Sequence, residues 1–149
     1  MRTYHANEIG NVAVLGHSGC GKTSIIEAMA YRSGLIKRAG TINEGNTISD
    51  YSDEEINRKS SVNLSIIPVE WNNCKINLID VPGTFDFVGE CEAALSVCES
   101  ALIIDPATPG ISAGTKQAMY KARDKAKIIY INGLDNPNSD YPTKLQQLK

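Results

Sequence analysis

Apolar residues recur along this chain in short blocks separated by polar connections. Five blocks, at 9–15, 62–69, 74–79, 101–105 and 127–132, are rich in Val, Ile and Leu and too short for helices, which predicts strands. Three longer stretches, 22–33, 88–98 and 113–125, carry apolar residues at helical spacing. In the second of these, Val88, Cys91, Leu95 and Cys98 form one stripe, which reads as plain core. Alternation of strand and helix predicts an α/β fold: a three-layer domain whose mostly parallel sheet is covered on both faces. The blocks at 62–69 and 74–79 break the alternation and are joined through "VEWNNCK". They are expected to pair as an antiparallel hairpin at the sheet edge.

Two segments fit this compact plan less well. Residues 34–61, "GLIKRAGTINEGNTISDYSDEEINRKSS", make a polar connection far longer than an ordinary loop, and such loops are either functional or disordered. With few large apolar residues to bury, positions from about 35 to 60 are expected to be poorly ordered unless a ligand holds them. The alternative is a local helix at "SDEEINRK", with Ser52 as its cap and Glu55 completing a capping box. At the other end, "YPTKLQQLK" begins a helix and stops, which suggests a fragment whose later elements lie beyond Lys149.

Composition narrows the classes. A chain of 149 residues with 42% hydrophobic content suits one globular domain. Its 15 basic and 17 acidic residues nearly cancel, so there is no basic footprint that would bind nucleic acid by charge alone. No apolar run reaches the roughly 18 residues of a membrane span, and "MRTYHANEIG" lacks the apolar core of a secretory signal. Cys20, Cys74, Cys91 and Cys98 form no C-x-x-C pair and are expected to be free thiols rather than disulfides or metal ligands. The cytoplasm is the expected compartment.

Three strings carry chemistry. The first, "GHSGCGKTS" from Gly16 to Ser24, lies between a strand and a helix and fits G-x-x-x-x-G-K-[ST]. Glycines let backbone N–H groups curl around phosphate oxygens at a helix N-terminus that already favours anions. Lys22 then neutralises the β- and γ-phosphates, and the Thr23 hydroxyl ligates Mg²⁺. Cys20 is either a thiol activated by these amide dipoles or simply a small residue that fits. The second string, Asp80-Val81-Pro82-Gly83, follows the strand "KINLI". There Asp80 can hold Mg²⁺ through water, the Gly83 amide can meet a γ-phosphate, and the following "TFDF" can move when that phosphate leaves. The third, Asn132-Gly133-Leu134-Asp135, closes the last strand, where ligands of open α/β sheets bind. A carboxylate at Asp135 can accept two hydrogen bonds from guanine. Asn77-Leu78-Ile79-Asp80 matches the same N-x-x-D spacing inside a strand, so position, not pattern, singles out Asn132.

In this order the three strings resemble those of the translational GTPases, and more closely elongation factor G and its paralogues, the elongation factor G-like and ribosomal protection proteins. Similar strings stand in that family for "EEINRKSS", "INLIDVPGTFDFVGE" and "ALIID". The resemblance covers nearly the whole chain but only the first part of such a G domain; residues 1–149 would be its N-terminal part. It implies guanine nucleotide and the ribosome as partners, GTP, GDP and Mg²⁺ as ligands, and hydrolysis of GTP in the whole protein. It implies Ser18, Gly19, Cys20, Gly21, Lys22, Thr23 and Ser24 as the phosphate cradle, and residues 34–61 as switch I. Asp80 and Gly83 would begin switch II, and Asn132 and Asp135 would recognise guanine. Ser61, at the place of the family's "R-G-I-T" threonine, would join Thr23 and Asp80 around the metal.

Three departures stand out. Gly133 replaces the lysine of N-K-x-D, whose stem packs on the base. Thr84 stands where the family has the histidine that positions the attacking water, and Gly19 where its phosphate loop has an aspartate. Lys22 and Thr84 are therefore the candidate catalytic side chains, Thr84 in an altered form. Two alternatives follow. One is a nucleotide-gated binding module with negligible hydrolysis, which Thr84 and Gly19 favour. The other is an ATP-using enzyme that needs only Gly16 to Thr23.

Overall fold

The structure is a computed structural model and describes residues 3–84 and 88–149. The "FDF" of the expected moving segment lies outside the described residues, as does the side chain of Val88. Five strands form one sheet in the order β2-β3-β1-β4-β5: β1 Ile9–Leu15, β2 Ser65–Trp71, β3 Cys74–Asp80, β4 Ser100–Pro106 and β5 Ala126–Asn132. All neighbours run parallel except β2 and β3. That antiparallel pair turns through Asn72 and Asn73, both left-handed with φ of 47° and 64°, the conformation a two-residue hairpin loop requires.

Helices pack on both faces of the sheet, and β4 is buried on both sides, whereas β5 at the edge has no buried residue. Ala13, Leu15, Ile79 and Ile103 point to one face and pack with Ala94, Leu95, Ala118 and Ala122. These last four come from α3 (Val88–Val97), α4 (Ala113–Lys121) and the residue that ends α4. Val14, Leu78, Leu102 and Ile104 point to the other face, where Ile26 and Ala30 of α1 (Lys22–Arg32) meet them. Of the expected stripe on α3, Leu95 and Cys98 are buried and Cys91 is partly so.

Parallel register puts the carboxyl ends of β1, β3, β4 and β5 along one edge of the molecule. Val14 lies opposite Asp80, Leu15 opposite Ile103, and Pro106 opposite Asn132. The chemistry-bearing strings all leave the sheet at this edge.

Within the long 34–61 connection the structure contains the local helix. α2 (Asp53–Arg58) carries the full capping box between Ser52 and Glu55. Polar anchors replace the missing apolar burial. The buried Glu27 carboxylate accepts from Gly40 N at 2.7 Å and Ile48 N at 2.8 Å, tying the loop to α1 twice. Glu55, fully buried, accepts from Val62 N and Asn63 N, both at 3.1 Å. This also corrects the strand expected at 62–69, which starts at Ser65. The N–H groups of Val62 and Asn63 belong to Glu55 and that of Leu64 to Glu90, so none is free for the sheet.

The helix expected to reach 125 stops at Lys121. α5 (Tyr141–Leu148) is capped by the Asp140 side chain, which accepts from Thr143 N, and has a proline in its first turn. Among the described residues no helix is long and apolar enough to cross a membrane.

Candidate nucleotide site

Between β1 and α1 the backbone closes into a tight bowl, and two of its glycines have no substitute. A Cβ on Gly16 would lie 2.3 Å from the Ile104 carbonyl oxygen; one on Gly21, at φ 96°, would lie 2.3 Å from Asn132 Nδ2. Gly21 caps α1, so the unpaired N–H groups of the first turn face the bowl. Lys22 is buried, and its Nζ donates to Gly16 O at 3.1 Å and His17 O at 3.0 Å, which folds the ammonium over the cradle. Ser18 is half-buried beside it, while Gly19 and Ser24 are exposed. Cys20 is buried, and that burial pushes its thiol up despite the neighbouring Lys22. Of the two readings for Cys20, packing is the one the geometry supports.

Behind the cradle, three separated segments meet. Thr23 Oγ1 donates to Asp80 Oδ2 at 2.9 Å and lies 3.4 Å from Ser61 Oγ. Ser61 Oγ in turn donates to Asp50 Oδ1 at 2.7 Å. All four side chains are buried. Asp80 Oδ1 has no partner among the described residues. Burial is the main force on both carboxyls. It raises Asp80 to about 6, with the Thr23 hydrogen bond and the Lys22 charge pulling the other way. It raises Asp50 as well. Two carboxylates and two hydroxyls, with a buried oxygen left over, are an all-oxygen donor set of the kind a hard divalent cation takes.

The other flank holds the base-side residues. Asn132 Nδ2 donates to Cys20 O at 2.9 Å, so the end of β5 is fastened to the phosphate loop. Ala107 N donates to Asn132 O at 2.7 Å, which fixes the same residue from β4. Asp135 is exposed on the loop that follows, three residues on, within the Gly133–Asn136 turn. Gly83 sits hard against the cradle: a Cβ there would be 2.3 Å from Lys22 Nζ and 2.7 Å from Ser18 N. Thr84 is half-buried next to it, and its Oγ1 has no partner among the described residues.

The structure therefore gathers Ser18 to Thr23, Ser61, Asp80, Gly83 and Asn132 at one edge and leaves Asp135 on its rim. Sequence reasoning missed Asp50. It is one acid among several in "SDYSDEE", and only the fold of the connection brings it to Ser61. Glu27 was also missed, because its role is to receive the loop's backbone and no local pattern marks that.

The four cysteines are all free. Comparison with known proteins gives a consistent picture. A mitochondrial ribosome-releasing factor 2 of Candida dubliniensis is 35% identical over 150 residues, covering 99% of this chain and 19% of that one. Another, of Drosophila willistoni, is 30% identical over 152 residues, covering 100% of this chain and 20% of that one. The chain thus spans about a fifth of the length of the curated relatives it matches. A crystal structure from Thermus thermophilus superposes with TM-score 0.89 at 34% identity over 94% of this chain and 21% of that one. A bacterial selenocysteine-specific elongation factor superposes with TM-score 0.70 at 20% identity, over 92% of this chain and 22% of that one, which speaks for the fold alone. The elongation factor Tu GTP binding domain matches residues 7–149, and the chain belongs to that family.

Proposed function

We propose that this chain is the GTP- and GDP-binding switch region of an elongation factor G-like translational GTPase, which in the whole protein hydrolyses GTP at the ribosome. The observation that carries this reading is the meeting of Thr23, Ser61 and Asp80 behind the phosphate cradle. They come from the phosphate loop, the long connection and the end of β3, and their buried oxygens converge on one point where a shared cation would fit. The backbone of Ser18 to Thr23 would bind the phosphates, Lys22 would neutralise them, and Ser24 would flank the cradle. Thr23, Ser61 and Asp80, supported by Asp50, would hold Mg²⁺, which when bound supplies positive charge to the β- and γ-phosphate oxygens. Asn132 would brace the base-binding loop, and Asp135 would accept from guanine.

Gly83 lies so close to Lys22 that no side chain would fit there, so its amide would meet the γ-phosphate, and loss of that contact would be the switch. Thr84 would face the attacking water with a hydroxyl, which cannot take up charge near neutral pH as an imidazole does. The binding module with negligible hydrolysis and the ATP-using enzyme gain nothing from the family assignment. We place the protein in a reducing, ribosome-bearing compartment. Its free cysteines suit the cytoplasm, while the two ribosome-releasing factors named above are mitochondrial. Binding of a fluorescent GDP with and without Mg²⁺ tests the reading. Mg²⁺ is expected to tighten binding to the wild type and to do so far less in Asp80→Asn. Equal affinity with and without Mg²⁺ in the wild type would overturn the metal assignment.

A further inference from the structure

A small cavity lies between α4 and the turn that follows β3. It has a volume of about 40 Å³, and Gly16, Gly83, Thr84, Cys91, Gln117 and Lys121 are among the residues that line it. One water needs about 10–15 Å³ of such space and two to four polar partners, so the cavity admits an ordered water. Such partners are present. Thr84 Oγ1 is buried with no partner among the described residues, an arrangement that is costly unless something outside the protein satisfies it. Gln117 is half-buried, and its amide can both donate and accept.

The placement of Gln117 follows from α4. That helix abuts the phosphate loop through Gly114, where a Cβ would lie 2.8 Å from the His17 Cα. Gln117 stands three residues later, on the same face. The other polar groups lining the cavity are less available. Lys121 pairs with Glu92 at 3.7 Å, and burial keeps the Cys91 thiol in its protonated, weakly donating form.

We propose that Gln117 is a positioning residue for the hydrolytic reaction, acting on Thr84 through a water held in this cavity; this rests on the GTPase reading above. Threonine χ1 has more than one accessible well, and the hydrogen bond made by Oγ1 selects among them. A hydroxyl can accept from one group while it donates to another. Held from the α4 side by the water, the Thr84 hydroxyl keeps its second valence for the attacking water. Without Gln117, the side chain is free to turn its methyl there instead.

The test uses the full-length protein with ribosomes and single-turnover GTP hydrolysis at saturating nucleotide, with Gln117→Leu, Thr84→Val and the double variant. Each single change is expected to slow hydrolysis about fivefold or more, and the double to be no slower than the slower single, as for two residues acting as one unit. GTP affinity is expected to stay within about twofold throughout, which a general loss of structure would not allow. A high-resolution crystal structure of the wild type is expected to show a water bonded to both Thr84 Oγ1 and Gln117. Additive effects, a wild-type rate in Gln117→Leu, or a cavity without that water would each overturn the proposal. GTP binding without turnover in the wild type would overturn it while leaving nucleotide binding intact. Loss of preference for GTP over ATP would instead overturn the underlying reading.

Discussion

Asp80 faces conflicting demands when no cation is near. It is buried, bonded through one oxygen only, and raised to about 6 from 3.8. Between those two values the folded chain keeps a proton that the unfolded chain has lost, so stability from this group falls as pH rises from about 4 through 6. The loss amounts to about 3 kcal/mol at most, taking about 1.4 kcal/mol for each tenfold change in proton affinity. Asp80→Asn, which keeps an acceptor for Thr23, is therefore expected to be more stable than the nucleotide-free wild type at pH 7. The difference should vanish near pH 4. Paired thermal melts across that range check this, and a pH-independent difference would refute it. At the neighbouring turn, Thr84 offers a hydroxyl where the family has an imidazole. Intrinsic hydrolysis is expected to be on the order of 10⁻⁴ to 10⁻³ per second or slower, as in a site that binds well but stabilises the transition state poorly. A single-turnover assay giving about one per second would reveal a catalytic group not among those named.

At the level of elements, what the sequence made legible and what it hid divide along a physical line. β4 was legible because burial on both faces writes it as a continuous apolar run, and β1, β3 and β5 were legible from their Val, Ile and Leu content although β5 is largely exposed. The hairpin was legible from the break in alternation. The path of residues 34–61 was not, because carboxylates bond that segment through backbone N–H groups, and such anchors leave no periodicity. Glu27→Ala removes two of those bonds at once. It is expected to leave the sheet intact while the Gly40 and Ile48 amides lose protection in hydrogen exchange; unchanged protection would mean that other contacts hold the loop. The C-terminal helix hid a second anchor. Lys144 and Asp105 form an ion pair at 2.8 Å with both side chains fully buried, and Thr115 Oγ1 also donates to Asp105. Lys144 Nζ also donates to Gly110 O, so α5 is bound to the end of β4. Lys144→Met would strand a buried carboxylate at a cost of about 3–5 kcal/mol, whereas the double change Asp105→Leu/Lys144→Met is expected to recover most of it. Denaturant titration distinguishes these outcomes, and a mild effect of the single change would show that water reaches the pair.

At the scale of the whole molecule, the two faces of the sheet differ. α3 and α4 cover one well. On the other, α1 leaves an apolar groove of about 520 Å³ lined by Val12, Met29, Trp71, Ile76 and Ile128 among others, and Trp71 and Ile128 are exposed. The proposed nucleotide site lies at the carboxyl edge of the sheet, where loops from four strands converge. Much of that proposed site was legible, because phosphate and metal contacts would demand particular residues at fixed spacing. Asp50 was not, since its place depends on the path of the whole connection. The central claim, recognition of guanine through Asp135, is tested most directly by competition of GTP, ATP and XTP for the nucleotide site of the full-length protein and of its Asp135→Asn variant. Sites built on such hydrogen bonds discriminate by up to about 10⁴-fold. The wild type is expected to prefer GTP over ATP by a large factor, and the variant to shift towards XTP. Equal competition by ATP in the wild type, or an unchanged preference in the variant, would contradict it.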